Sequence, residues 1–196
     1  MLCFFNDNPL NTEFIVNNIV CFYKEYYREP KAKPYRVLPD LQVLDGIVGY
    51  FDGVAWGGIC GCGLVLQMDD NWSFMGMMAG GDGTNNIAKI LSLWYLLKFS
   101  LIHGVTDLKV FRDSKLIIGW IIGKVKVNNS VKFQWGQRTL DCKIYFARIS
   151  FQHIFRELNQ TIDMLSKKGL NGTLGLCHFE EIVGNDVVSN GTLSLY

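Results

Sequence analysis

Three aspartates stand at comparable places in the predicted secondary structure. Asp52 closes an apolar, strand-like run, Asp113 ends a second run, and Asp163 lies one turn into the last predicted helix. Burying an unpaired carboxylate is costly, so such groups usually pair with a cation or bind a metal ion. If the two strands are adjacent and the helix packs beside them, all three carboxylates reach one edge of the sheet. The alternatives are an Asp-Gly turn for Asp52, a helix cap for Asp113 and a solvated helical acid for Asp163.

Such a cluster of acids indicates a particular chemistry. Carboxylates that lie close together repel one another unless a cation is present, and oxygen ligands with open positions suit Mg²⁺ or Mn²⁺. Two such ions about 4 Å apart are the usual machinery for cleaving phosphodiesters. The three aspartates are therefore candidate catalytic and metal-binding residues, with Mg²⁺ or Mn²⁺ as the candidate cofactor.

The charge of the chain is unevenly distributed. Its 196 residues carry a net charge of +1, but residues 84–168 hold 14 Lys and Arg against 5 Asp and Glu, while the remainder holds 5 against 13. A basic half of this kind predicts a surface that attracts phosphate backbones. A set of solvated helix faces is the alternative. The content of 49% hydrophobic and 19% charged residues excludes global disorder.

The elements that would position the acids begin with a meander of three strands. Residues 47–53 form the first strand, a glycine-dense turn follows over 53–63, and two further strands are predicted at 64–68 and 72–79. A helix is then predicted over residues 87–102, with the sequence Thr-Asn-Asn before it as an N-cap cluster. This helix is apolar almost all round and should be buried, and two internal lysines argue against a membrane span.

The rest of the domain alternates between strands and helices, which is typical of α/β folds. Strands are predicted over 108–111 and 149–155, and helices over 115–122, 131–147 and 158–170. We divide the chain into an N-terminal extension (1–45), a main domain (46–170) and a peripheral C-terminal tail (171–196). The extension holds a possible helix around 13–27 and a Pro/Lys-rich connector.

The chain is expected to work inside the cell, without a membrane, as a monomer. Its six cysteines are scattered and are interpreted as free thiols. The N-terminus lacks a basic start followed by an uninterrupted apolar run, so no secretion signal is predicted. Nucleus and cytoplasm both remain open.

Four short motifs, taken in order, resemble the type 1 ribonuclease H family, most closely its plant reverse-transcriptase-like branch of retroelement origin. They are Phe51-Asp52-Gly53, Thr84-Asn85-Asn86-Ile87-Ala88, Val110-Phe111-Arg112-Asp113-Ser114-Lys115, and Arg156-Glu157-Leu158-Asn159 followed by Asp163-Met164-Leu165-Ser166. The resemblance implies a ribonuclease H-like α/β fold, with a five-stranded mixed sheet and helices on both faces. The implied activity is hydrolysis of the RNA strand of an RNA–DNA hybrid by two metal ions.

The resemblance also implies roles for individual residues. The three aspartates would hold the metal ions. Asn85 and Asn86 fall on the pair that contacts the hybrid in its minor groove, and Thr84 falls on a phosphate-contacting position. Reading the 2′-hydroxyl is how such a protein distinguishes RNA from DNA. An RNA–DNA hybrid is therefore the expected partner.

The sequence departs from the family pattern at Lys89, where the family has a glutamate. The change removes a metal ligand and places an ammonium near the ions, which disfavours at least one of them. If the family geometry holds, Lys89 points toward Asp52 and stands in for a cation. The catalytic site is thus incomplete, and the sequence predicts a nucleic-acid-binding domain with weakened or lost hydrolysis. A fully active hybrid endonuclease and a non-catalytic interaction domain remain as alternatives.

Overall fold

The computed structural model of the chain describes residues 46–124, 130–154 and 159–195. The predicted N-terminal extension, with its possible helix, lies outside the described residues. So do positions 156–158 of the last family motif.

The described residues form seven strands and four helices. The strands are β1 (Val48–Trp56), β2 (Ile59–Gln67), β3 (Trp72–Asp82), β4 (Asp107–Arg112), β5 (Arg148–His153), β6 (Leu176–Val183) and β7 (Asp186–Ser194). The helices are α1 (Asn85–Ile102), α2 (Lys115–Ile121), α3 (Ser130–Lys143) and α4 (Gln160–Gly169). All strands join one mixed sheet in the order β5-β4-β1-β2-β3-β6-β7. The β1–β4 and β4–β5 pairs are parallel, and the other pairs are antiparallel.

The predicted number of strands is wrong, because the sheet has seven strands and not five. The two additional strands come from residues 176–194, which form a hairpin whose strand β6 pairs with β3. Cys177 of β6 and Leu195, the residue after β7, are buried, and Phe179 and Leu193 pack against the core. The hairpin thereby covers the N–H and C=O groups that β3 would otherwise leave unpaired at the sheet edge.

The glycine-dense stretch at 53–63 is strand for most of its length and not a turn. The reversal itself takes two residues, Gly57 and Gly58, whose φ values of 58° and 85° favour glycine. A side chain at Gly53 would collide with the backbone of Ala88 in α1, and a Cβ at Gly63 would lie 2.6 Å from the Ser166 nitrogen in α4. The glycines therefore let two helices pack directly on opposite faces of the sheet, which agrees with the predicted helices on both faces.

The central helix α1 is buried as predicted. Twelve of its eighteen residues are buried, and the hydroxyls of Ser92 and Ser100 donate to carbonyls one turn back, each at 2.8 Å. Helix α3 packs over it, with the rings of Trp94 and Trp135 5.4 Å apart. Among the described helices, none has the length and apolar content needed to cross a membrane.

Candidate functional site

Asp52 and Asp113 are brought to neighbouring positions by the parallel pairing of β1 with β4. The register places Tyr50 beside Phe111, and their rings stack with centroids 5.6 Å apart. Side chains two residues further along a strand return to the same face. Asp52 and Asp113 therefore each lie two residues beyond a member of this stacked pair, Asp52 within β1 and Asp113 just after β4. The prediction that Asp52 ends the first strand is wrong, because β1 continues through Gly53 to Trp56.

The side chain of Arg112 lies between these two carboxylates. Its Nη1 atom is 2.5 Å from Asp52 Oδ1, and its Nε atom is 3.3 Å from Asp113 Oδ1. Nη1 also donates to the carbonyl oxygen of Phe51 at 2.6 Å, and the guanidinium lies 5.2 Å from the centroid of the Phe51 ring. Arg112 is 1% exposed. The acid pair thus shares a buried cation that belongs to the chain itself.

Both carboxylate oxygens of Asp52 accept hydrogen bonds from the protein. The Gly53 N–H donates to Oδ1 at 2.6 Å, and Asn159 Nδ2 donates to Oδ2 at 3.2 Å. Burial raises the pKa of the Asp52 carboxyl above its ordinary value, while the Arg112 guanidinium opposes that rise and the nearby Asp113 carboxylate adds to it. The surrounding donors favour the ionised form, and the loss of water favours the neutral one.

Asp163 lies on α4, four residues after Asn159 and so on the same side of the helix. Its Oδ2 atom is 2.7 Å from the ammonium of Lys167, one turn further on, and 35% of its side chain is exposed. This is an i,i+4 surface pair of modest energy. The structure thus joins Asp52 and Asp113 through Arg112, while Asp163 has its ion pair on its own helix.

The backbone of Lys89 lies against β1 at Gly53. A Cβ at Gly53, the residue after Asp52, would be 2.6 Å from the Lys89 nitrogen. Within the described ranges, however, no acid forms an ion pair with the Lys89 ammonium. The cation that contacts Asp52 is Arg112, in place of the expected Lys89.

The three predicted nucleic-acid-binding residues lie at the N-terminus of α1. Thr84 is the N-cap residue, but its side chain makes no capping hydrogen bond. Asn85 also does not cap the helix: its Oδ1 atom accepts the N–H of Ala55 at 2.7 Å and so ties α1 to the end of β1. Thr84 and Asn85 are exposed, and Asn86 is half-buried. With its oxygen held, the Asn85 carboxamide has its NH₂ group left as a surface donor.

The residues around Asp52 and Asp113 do not fit the divalent metal ions that the resemblance implies. Both Asp52 oxygens already accept from protein donors, and the nearest charge is the Arg112 guanidinium. These donors take up most of the lone pairs of the Asp52 carboxylate, and the adjacent guanidinium repels a divalent cation. Over the described part of the chain, no three His, Cys, Asp or Glu residues are grouped so that they could hold a metal ion.

Two residues of this site have no role in the sequence prediction, Arg112 and Asn159. Both lie inside the quoted motifs, but the resemblance directs attention to the aspartates. A signal was present for Arg112: it follows the apolar residues Leu108 and Val110 at alternate positions of its strand, which places it on the same face, and a buried guanidinium requires an acid. Asn159 offers no comparable signal, since an asparagine before a helix is usually a cap.

Comparison with known proteins gives both a family and a fold. A model of the reverse transcriptase-like family matches residues 51–169, which is more than half of the chain. The structure of ribonuclease H1 from Halobacterium salinarum is similar, with a TM-score of 0.60 and 26% identity over 64% of this chain and 97% of that protein. None of the curated proteins matches the chain.

Two further solved structures extend the comparison. LC11 ribonuclease H1, isolated from compost and solved in complex with an RNA/DNA hybrid, has a TM-score of 0.58 and 25% identity over 64% of this chain and 96% of its own. The N-terminal ribonuclease H domain of a Mycobacterium tuberculosis protein has a TM-score of 0.57 and 24% identity over 64% and 99%, which supports the fold. The chain belongs to the reverse transcriptase-like family and has the ribonuclease H-like fold.

Proposed function

We propose that this chain is a nucleic-acid-binding domain that recognises RNA–DNA hybrids and in which two-metal hydrolysis of the RNA strand is weakened or lost. The similar LC11 enzyme, solved with a bound hybrid, supports the choice of partner. The family resemblance of the motifs supports the choice of surface, which is the N-terminus of α1.

The observation that carries the proposal is the fixed carboxamide of Asn85. Its oxygen accepts the N–H of Ala55 at 2.7 Å, so the amide plane is held and the NH₂ group is presented at the surface. A donor held in this way suits the acceptor atoms of the minor groove, the base N3 and O2 atoms and the 2′-hydroxyl. Because the donor is fixed before binding, little side-chain entropy is lost when the nucleic acid arrives.

The surroundings of Asn85 favour a phosphate backbone. The first turn of α1 carries no acidic residue, so the positive end of the helix dipole is not neutralised there. The exposed Thr84 hydroxyl is not used as a cap and can bind a phosphate oxygen. Lys89 lies four residues after Asn85, on the same side of the helix, where its charge attracts the backbone.

Weak hydrolysis is expected from two basic residues, one at the position of a family acid and one in contact with the acids. Lys89 replaces an acidic ligand of the family, and Arg112 contacts both Asp52 and Asp113. Each charge opposes a divalent cation. We therefore expect binding of the hybrid with little or no cleavage in Mg²⁺ or Mn²⁺.

Fluorescence anisotropy with labelled RNA–DNA hybrid, double-stranded DNA and double-stranded RNA tests the proposal. We expect tighter binding of the hybrid, and a loss of about tenfold in hybrid affinity for Asn85→Asp, consistent with one lost base contact. This variant keeps the acceptor for Ala55 and removes the donor. Asn71→Asp, an identical change in the exposed β2–β3 turn, is the matched control and should leave affinity unchanged.

Three outcomes would replace the proposal. Equal affinity for all three nucleic acids, unchanged in Asn85→Asp, would refute recognition of hybrids. Robust cleavage that disappears in Asp52→Asn would identify an active hybrid endonuclease. Absence of any binding at low salt would favour an interaction domain.

A further inference from the structure

The ion pairs of Arg112 differ in kind from those at the protein surface. Arg148 also forms an arginine–aspartate pair, with Asp107, at the same 2.5 Å separation, but its side chain is 86% exposed. The side chain of Arg112 is 1% exposed, and that of its partner Asp52 is 11% exposed. Ion pairs at the surface contribute little to folding stability, whereas a buried charge destabilises the fold strongly when its partner is removed.

The position of Arg112 is set by more than one acid. Its Nη1 atom binds both Asp52 Oδ1 and the carbonyl of Phe51, and the guanidinium also lies over the Phe51 ring. Its Nε atom faces Asp113 at 3.3 Å without the geometry of a hydrogen bond. Arg112 therefore attracts Asp113 by its charge. A positive charge between two carboxylates reduces their mutual repulsion, as a bound metal cation would.

Two buried polar atoms at this cluster have no hydrogen-bond partner among the described residues, Arg112 Nε and Asn159 Oδ1. Buried polar atoms are normally paired, and an unpaired one carries a desolvation cost. Both unpaired atoms belong to residues that contact Asp52, so this cost arises twice at the cluster. The arrangement of the Arg112 cluster is therefore set by attraction between charges, since its hydrogen-bond network is incomplete.

We propose that Arg112 is a resident counter-cation that takes the place of a divalent metal ion at the Asp52–Asp113 pair and makes this acid site independent of metal. The inference deepens the proposed function, since it assigns the loss of the metal site to Arg112 as well as to Lys89. Restoring a glutamate at position 89 is then insufficient, because the guanidinium still neutralises the two acids. Removing the charge of Arg112 leaves two carboxylates that need a cation from solution.

The test measures thermal stability and Mn²⁺ binding of the full chain, in EDTA and in millimolar Mn²⁺. We expect the unmodified chain to melt at the same temperature in both. Arg112→Gln, which keeps a hydrogen-bond donor without the charge, should melt at a lower temperature in EDTA and regain stability in Mn²⁺. Its Mn²⁺ affinity by calorimetry should exceed that of the unmodified chain by at least about tenfold, the usual scale for a change beside a metal ligand.

Three variants make the result specific to this site. Arg148→Gln makes the same substitution in the surface pair and should show no response to Mn²⁺. Arg112→Lys keeps a cation at the site and should also show none. Adding Asp52→Asn to Arg112→Gln should abolish the response. If Arg112→Gln does not fold in EDTA, refolding in Mn²⁺ compared with EDTA gives the same readout.

The inference is overturned if the unmodified chain binds Mn²⁺ in a manner that Asp52→Asn abolishes, or if Arg112→Gln gains no Mn²⁺ response. Hybrid binding in EDTA separates this failure from failure of the proposed function. A chain that binds no hybrid, while Arg112→Gln gains a Mn²⁺ site, keeps the inference and loses the function. A chain that prefers hybrids and binds Mn²⁺ at Asp52 supports the proposed function and overturns the inference.

Discussion

The cluster around Asp52 and Asp113 and the β6–β7 hairpin are held to the rest of the sheet by different kinds of contact. At the first, buried charges meet, and Arg112 joins two acids. At the second, aromatic rings meet. The ring centroids of Phe74 and of His103, which follows α1, are 4.3 Å apart. Those of Phe99 and Phe179 are 5.4 Å apart. A polar contact, from Trp72 Nε1 to Glu181 Oε1 at 2.9 Å, lies beside this aromatic cluster.

The difference concerns how each region responds to the loss of one side chain. Apolar contacts weaken in proportion to the area lost, and neighbours can relax into the space. A buried ion pair does not weaken gradually, because the partner that remains is an uncompensated charge. Single substitutions should therefore destabilise the fold strongly at the Asp52–Asp113 cluster and only moderately at the β6–β7 hairpin.

The largest expected effect is that of Arg112→Leu. It leaves Asp52 and Asp113 without their cation, and we expect the free energy of unfolding to fall by about 3–5 kcal/mol. Urea denaturation in EDTA measures it. Arg148→Leu, in the exposed pair with Asp107, should change stability little. Similar stabilities for the two variants would remove the distinction between the regions.

A smaller effect is expected when charge is reversed on either side of the molecule and hybrid binding is measured. Lys89→Glu, on the side of α1 that carries Asn85, should reduce hybrid affinity by about tenfold. The slope of log K against log[salt] should become shallower by the amount that corresponds to about one to two phosphate contacts. Lys168→Glu, on α4 beside the hairpin residues His178 and Glu180, makes the same change where we propose no nucleic acid. Equal losses for both variants would indicate attraction by overall charge alone.

The smallest effect concerns pH at the hairpin side. Burial lowers the pKa of His103 below its ordinary 6.5, although Glu181 opposes the shift. The unfolded chain then binds the proton more readily, so this contribution to stability is present above pH 6.5 and is lost as pH falls below it. His103→Phe should flatten the dependence of the urea midpoint between pH 7.5 and about 5. An unchanged slope in that variant would assign the dependence to other groups.

The sequence predicted five of the seven strands because each contains a short run of apolar, β-branched or aromatic residues, and it predicted the buried central helix because that segment is apolar almost all round. It did not predict the hairpin, since β7 is exposed over most of its length and Asn190-Gly191 interrupts its pattern. Periodicity detects burial, and an edge strand buries little. The fold of the family was accessible from motifs, and an addition at its edge was not.

For the candidate site, the sequence predicted the placement of Asp52 and Asp113 on adjacent strands, which the parallel pairing of β1 with β4 gives. It did not predict which cation contacts them. Lys89 is conspicuous because it breaks a motif, whereas Arg112 breaks none, and only the packing of its strand shows that it is buried. The roles assigned to the three aspartates, and to Thr84, Asn85 and Asn86, remain predictions.

Gly53 joins two parts of the molecule that have so far been described separately. Its N–H holds the Asp52 carboxylate, and its α-carbon lies against the backbone of Ala88 and Lys89, within one turn of Asn85. No side chain separates the strand from the helix there to absorb a shift. A displacement of the α1 terminus on contact with nucleic acid would therefore pass directly to the acids, and any larger residue at position 53 would disturb both surfaces through one substitution.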